Sequence, residues 1–262
     1  MIQELNFNDV DNIKLLGKLL DKDLGRNYFI KLGLLDMNYF DKIWMVFDGD
    51  LMVGGIFLRK SGNLQVYIEE NEKIIAEIAK FLQGKNYFKM IISRHRFETF
   101  MDIMKFGYFV KGTEISKFEA NKSKKQRKLP EEMKIRKMEL SDVDEVINLY
   151  KHSFKGFSSK ERIIERLETG AGRGFVVENS ENAIVAVAQT DFEEEKQCVI
   201  VGVATDRQVR RKGIASILVD YLIKELKSEN KDIYIQYEEK MVGKFYEKLG
   251  FVKIDQLYDV YK

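Results

Sequence analysis

The chain has 262 residues, 45% of them hydrophobic and 12% aromatic, with 44 basic against 42 acidic groups and one cysteine. This composition excludes a disordered chain and an intrachain disulfide, and one thiol with two histidines argues against a Cys/His zinc site, so no metal is expected. A net charge of +2 argues against dedicated nucleic-acid binding, and the lack of a basic-then-apolar leader or of about 20 consecutive apolar residues predicts a cytoplasmic protein with no membrane span.

The first elements are a short strand, an N-cap at Asn8 and two helices. A hairpin follows, from Trp44 to Phe47, through an Asp48-Gly49-Asp50 turn, to Leu51–Leu58. Then come Gln65-Val-Tyr-Ile, a helix from Glu72 to Leu82, a strand from Tyr87 to Ile92, another helix, and a last strand opening at Phe106-Gly-Tyr-Phe-Val. Asn121 to Leu129 carries five positive charges and no negative one, and the only proline, Pro130, comes next; this reads as a linker.

The pattern then repeats. Met138-Glu-Leu-Ser-Asp-Val-Asp matches Leu5-Asn-Phe-Asn-Asp-Val-Asp at an offset of 133, and Leu249-Gly-Phe-Val matches Phe106-Gly-Tyr-Phe at 143, so the second copy holds about ten more residues. Its hairpin is Gly174 to Val177, a turn near Asn179 to Asn182, and Ala183 to Gln189; an apolar strand covers Cys198 to Ala204, and Ile233 to Gln236 forms a later one. The fold class that follows is mixed α/β, a mostly antiparallel sheet flanked by helices, in two tandem domains: 1–120, a linker 121–132, and 133–262.

The stretch from Val201 to Leu226 carries the chemistry. A strand enters a short basic loop with one glycine and then a helix whose Ile214, Leu218, Tyr221, Leu222 and Leu226 fall on one face. A helix start leaves backbone N–H groups unpaired at the positive end of the macrodipole, and Gly213 lets a ligand approach the backbone, with Arg210, Arg211 and Lys212 beside it. This suits an anion site; it equally suits a solvated basic turn before an ordinary amphipathic helix.

Arg210-x-x-Gly213-x-Ala215, in its strand, loop and helix context, resembles the Arg/Gln-x-x-Gly-x-Gly/Ala signature of the GNAT superfamily of acyl-CoA-dependent N-acyltransferases. About thirty residues on, Lys244-Phe-Tyr-Glu-Lys-Leu-Gly-Phe resembles the superfamily's helix that bears a tyrosine and ends in glycine before the final strand. The resemblance covers roughly residues 133 to 262 and implies a GNAT fold with acetyl-CoA as cosubstrate. It implies that backbone N–H groups of Arg211, Lys212, Gly213, Ile214, Ala215 and Ser216 hold the pyrophosphate beside Arg210. Val203, Ala204 and Thr205 would pair with the pantetheine arm, with a bulge at Gly202, and Tyr246 would protonate the departing thiolate. Where histone-type relatives carry a glutamate base, thirteen residues before the motif arginine, this chain has Gln197; Glu195, if the strand reaches that far, and Glu239 are substitutes, and a water relay needs neither.

The first copy lacks these features. Glu69, Glu70 and Glu72 stand where phosphates would need N–H groups and cations, and Ile103 matches Tyr246 at the offset of 143, so it reads as a degenerate copy without the cofactor site. His95 is expected at a strand end on the surface, and His152 near the acceptor side. The implied activity is transfer of acetyl to a primary amine of a small molecule or protein, with Glu193 to Glu195, Glu238 and Glu239 favouring a cationic acceptor. The alternative is a non-catalytic acyl-CoA-binding module that regulates or binds a partner; use of aminoacyl-tRNA ranks behind both, because the pyrophosphate loop is kept.

Overall fold

The computed structural model of the chain describes residues 1–69, 72–120 and 128–261, so most of the expected linker lies outside the described residues. The chain forms two compact units: unit 1 is Met1–Ile115 with Gln236–Glu238 and Lys253–Lys262, and unit 2 is Ser116–Ile235 with Glu239–Val252. These differ from the contiguous halves 1–120 and 133–262. A polar run marks where the chain leaves one copy, but the neighbours of each final strand decide which unit it joins.

Unit 1 contains β1 (Ile2–Glu4), α1 (Val10–Asp21), α2 (Leu24–Leu34), β2 (Phe40–Asp48), β3 (Leu51–Arg59), β4 (Asn63–Ile68), α3 (Glu72–Gln83), β5 (Lys89–Ser93) and α4 (Arg94–Ile103), followed by most of β6 (Tyr108–Phe118). Antiparallel pairing joins β1 to β2, β2 to β3 and β3 to β4. β4 and β5 are parallel over three pairs, from Asn63↔Lys89 to Gln65↔Ile91. Both sheet faces are covered: Trp44, Ile56, Ile75, Ile78, Leu82 and Phe100 form one core, and Leu16, Leu20, Ile30, Phe40 and Phe57 the other. The first helix is capped by Asp9, whose carboxylate accepts from the Asn12 N–H at 3.0 Å, one residue after the expected Asn8; a carboxylate suits the positive helix end better than an amide.

Unit 2 contains β7 (Lys134–Lys137), α5 (Val143–Lys151), α6 (Lys160–Thr169), β8 (Gly174–Glu178), β9 (Ile184–Asp191), β10 (Gln197–Thr205), α7 (Ile214–Ser228), most of β11 (Asp232–Tyr237), α8 (Lys240–Leu249) and the start of β12 (Phe251–Tyr261). β7 through β10 are antiparallel neighbours, and β10 runs parallel to β11 over Gln197↔Asp232 to Val199↔Tyr234. Met138, Val146, Tyr150, Ile163, Val176 and Val187 pack α5 and α6 on the sheet. Ser141, which the repeat aligns with Asn8, lies in a 3-10 turn closed by Glu139 and Asp142, whose carboxylate accepts from the Glu139 N–H at 2.7 Å. Of the expected α7 stripe, Tyr221 is 39% exposed and meets Phe175 edge-on, while Ile214, Leu218, Leu222 and Leu226 are buried. Gly250 ends α8 as expected, and Phe251 is buried.

Candidate active site

β10 stops being regular where it leaves β9. Val201 faces Gln189 and Ala204 faces Val187, so Gly202 and Val203 together oppose one residue, a β-bulge, and Gly202 is left-handed at φ +59°. Asp206 then caps a 3-10 turn over Arg207–Val209. Arg210 folds back on the strand end, its Nε donating to the Thr205 carbonyl at 2.8 Å and its terminal nitrogen to Ser153 Oγ at 3.3 Å.

Two of the next three residues are left-handed, Arg211 at φ +65° and Gly213 at +86°, which curls the backbone immediately before α7. Gly213 is the N-cap residue and no side chain caps the helix. The first N–H groups of α7 therefore stand at a positive, basic helix start, a concavity suited to an anion.

These parts share one cleft of about 460 Å³, lined by Val203, Ala204, Thr205, Arg210, Arg211, Gly213, Ile214, Ala215, Ser216 and Tyr246 among others. Of the residues expected here only Lys212 does not line it; its side chain is exposed. Ser153, Phe154, Val209, Met241, Val242 and Phe245 complete the wall, and sequence reasoning missed all six. For Met241, Val242 and Phe245 the amphipathic period of α8 is the one available signal.

The cleft fits an elongated ligand with an anionic middle. Thr205 Oγ1 is buried there without a hydrogen-bond partner, next to the irregular strand edge that an extended amide chain would extend. Tyr246 is 5% exposed, its ring edge-on to Phe245 and Phe251, and burial pushes its hydroxyl well above the ordinary tyrosine value. It stays protonated at any physiological pH.

The substitute bases fare differently. β10 begins at Gln197, so Glu195 is an exposed residue of the preceding turn, eight residues before Val203 and no part of the cleft lining. Glu239 is the exposed N-cap residue of α8. Of the carboxylates expected to favour a cationic acceptor, Glu193 is paired with Arg173 and accepts from Thr190 Oγ1 at 2.7 Å, and Glu194 accepts from Gln197 at 3.0 Å, while Glu238 and Glu239 are exposed before α8. Glu193 and Glu194 hold the start of β10.

His152 is the exposed C-cap residue of α5, and Arg207 donates to its carbonyl at 3.3 Å. His95 is exposed in the first turn of α4 rather than at a strand end. Among the described residues no group of three or more His, Cys, Asp or Glu is arranged to hold a metal, and no helix is long and apolar enough to cross a membrane.

Residues 143–251 match the Acetyltransferase (GNAT) family. An acetyltransferase of the GNAT family from Colwellia psychrerythraea is similar over the whole of both chains, with a TM-score of 0.70 at 12% identity. A tandem GNAT protein from the clavulanic acid biosynthesis pathway is similar over 99% of this chain and 97% of its own, at 0.63 and 10%. A GCN5-related N-acetyltransferase from Kribbella flavida covers 80% of this chain and 88% of its own, at 0.56 and 9%. No curated protein matches. At these identities the structural likenesses speak for the fold alone. Residues 143–251 thus match a family whose common activity is acyl-CoA-dependent acetyl transfer, and the chain as a whole has the fold of solved GNAT proteins, built as two tandem GNAT-like units.

Proposed function

We propose that unit 2 is an N-acetyltransferase that moves acetyl from acetyl-CoA to a primary amine of a small molecule or protein, and that unit 1 is a degenerate copy that binds no acyl-CoA. The observation that carries the reading is the convergence in one cleft of a strand bulge, an uncapped basic helix start and a buried protonated tyrosine. The N–H groups of Arg211 to Ser216 hold the pyrophosphate, and the edge from Val203 to Thr205 aligns the pantetheine amides. An N–H at the bulge bonds the thioester oxygen and steadies the negative charge that develops there. The neutral amine forms the C–N bond as the C–S bond breaks. Tyr246 gives its proton to the sulfur, and the proton released by the amine returns to Tyr246 through solvent.

With Glu195 outside the cleft, water accepts the amine's proton. The test is thiol release from acetyl-CoA against a panel of amines, alongside thermal melting. A ligand at 100 times its dissociation constant adds about 2.7 kcal/mol, a shift of about 5–10 °C for a chain of this size. No shift with millimolar acetyl-CoA or CoA overturns the cofactor assignment; a shift with no amine-dependent thiol release would favour the non-catalytic module.

A further inference from the structure

Behind the bulge lies a buried polar relay that the cleft itself does not include. Tyr150, on α5, donates its hydroxyl to the Gly202 carbonyl at 2.8 Å. The Tyr150 hydroxyl oxygen in turn accepts from Gln189 Nε2 at 2.7 Å, and Gln189 Oε1 accepts from Arg166 at 2.8 Å. Arg166 pairs with Asp191 at 3.3 Å, and Arg162 holds the other carboxylate oxygen at 2.5 Å. Tyr150, Gln189, Arg166 and Asp191 are all at most 2% exposed.

A buried ion pair is a poor source of net stability compared with apolar packing of the same volume; its use here is to specify one geometry. What it specifies is the peptide at Gly202. A bulged residue has lost its ladder partner, and the Tyr150 hydroxyl supplies one for its carbonyl. The fit is tight: a Cβ on Gly202 would stand 2.1 Å from that hydroxyl. Fixing the carbonyl of Gly202 also fixes the plane of the Gly202–Val203 peptide, and with it the direction of the Val203 N–H beside the cleft. The first copy supplies a contrast. β4 runs against β3 with no register shift, and at the offset of 133 that aligns the copies, Gly17 stands where Tyr150 stands.

We infer that Tyr150, steadied by Gln189 and the Arg166–Asp191 pair, is a positioning residue that aims the bulge N–H at the thioester oxygen, so that it governs carbonyl polarisation and turnover rather than cofactor affinity. This rests on the assignment of the cleft to acyl-CoA. The experiment is infrared difference spectroscopy of acetyl-CoA labelled with 13C at the thioester carbonyl, bound to the full chain, which needs no knowledge of the acceptor. On the wild type the carbonyl band moves to lower wavenumber on binding. Tyr150→Phe, which removes one oxygen atom, loses most of that displacement while the calorimetric Kd stays within a few fold, and kcat falls by up to about 100-fold with KM for acetyl-CoA little changed.

Gln189→Leu, which keeps the Tyr150–Gly202 bond, gives a smaller change in the same direction, and it carries the test should Tyr150→Phe not fold. If the wild type binds with a displaced band and both variants show the same displacement, the positioning role is overturned and the cofactor assignment stands. If the wild type does not bind acetyl-CoA, the assignment fails and the inference with it.

Discussion

Each unit contains a parallel strand pair bridged by a helix, β4–α3–β5 in unit 1 and β10–α7–β11 in unit 2, and the two differ in where residues have been added. β4 has six residues and β10 nine; three residues separate β4 from α3, and eight separate β10 from α7. Most of the roughly ten extra residues of the second copy therefore fall in the bulge and the basic loop. Unit 1 has a cleft of about 330 Å³ beside its own parallel pair, but its charges answer one another: Arg26 bonds Asp23 and Asp255, and Lys22 bonds Glu69 at 2.7 Å. The scaffold persists without the insertion. What the insertion adds is a bulge at Gly202 and a curled basic loop before a helix that no side chain caps, so the proposed anion site would belong to local loop geometry and not to the fold.

The hardest blow to that contrast is Gly213→Glu. It sets a negative side chain at a left-handed N-cap where phosphate oxygens would lie, and it should abolish the acetyl-CoA-dependent rise in melting temperature and the calorimetric signal. Titration of the wild type should give one acetyl-CoA per chain. A second site, or binding left in the variant, would mean that unit 1 holds the ligand by contacts of another kind.

Next comes stability. Arg166→Leu leaves Asp191 buried beside Arg162 alone and deprives Gln189 of its donor, so urea denaturation should show a loss of about 3 kcal/mol. A variant as stable as the wild type would show that the ion pair contributes nothing to holding unit 2 together.

The copies, their strand and helix order and the cleft residues from Val203 to Ser216 were readable because glycine, charge and periodicity act locally. Two things were not. Sequence spacing put Glu195 two residues from Gln197 without saying where the strand begins, and the strand begins at Gln197, because Glu193 is drawn to Arg173 and Thr190 in the turn before it. Nor could spacing show that Tyr150, Arg166 and Gln189, from a helix, another helix and a strand, converge behind Gly202. Each has an unremarkable place in an amphipathic pattern, and only the packed α5, α6 and β9 bring them together.

Tyr246→Phe sharpens the comparison at one atom, since Ile103 matches that position in the first copy. Turnover should fall by about 100-fold, with acetyl-CoA affinity within a few fold. Because burial holds the phenol well above its ordinary value, the wild-type pH profile should rise as the acceptor amine loses its proton and show no fall from Tyr246 ionisation below about pH 10. Full turnover in the variant across that range would make Tyr246 a packing residue.

The smallest effect separates the units at high pH. In unit 2 burial pushes the Cys198 thiol from near 9 up to about 12; in unit 1 burial pushes the Tyr67 and Tyr87 hydroxyls from 10 up to about 12. These acids ionise more readily unfolded than folded, so between the two values the unfolded chain binds fewer protons and stability falls as pH rises. The decline should begin near pH 9 in unit 2 and nearer pH 10 in unit 1, followed as the urea midpoint from pH 8 to 11 with hydrogen exchange resolving the units. Cys198 gives an independent check: at pH 8 iodoacetamide should leave it unmodified in the native protein and alkylate it in urea, because the thiolate is the nucleophile and burial suppresses it. Native alkylation at the rate seen in urea would show that the start of β10 opens to solvent, against the ion pairs of Arg173 that hold it closed.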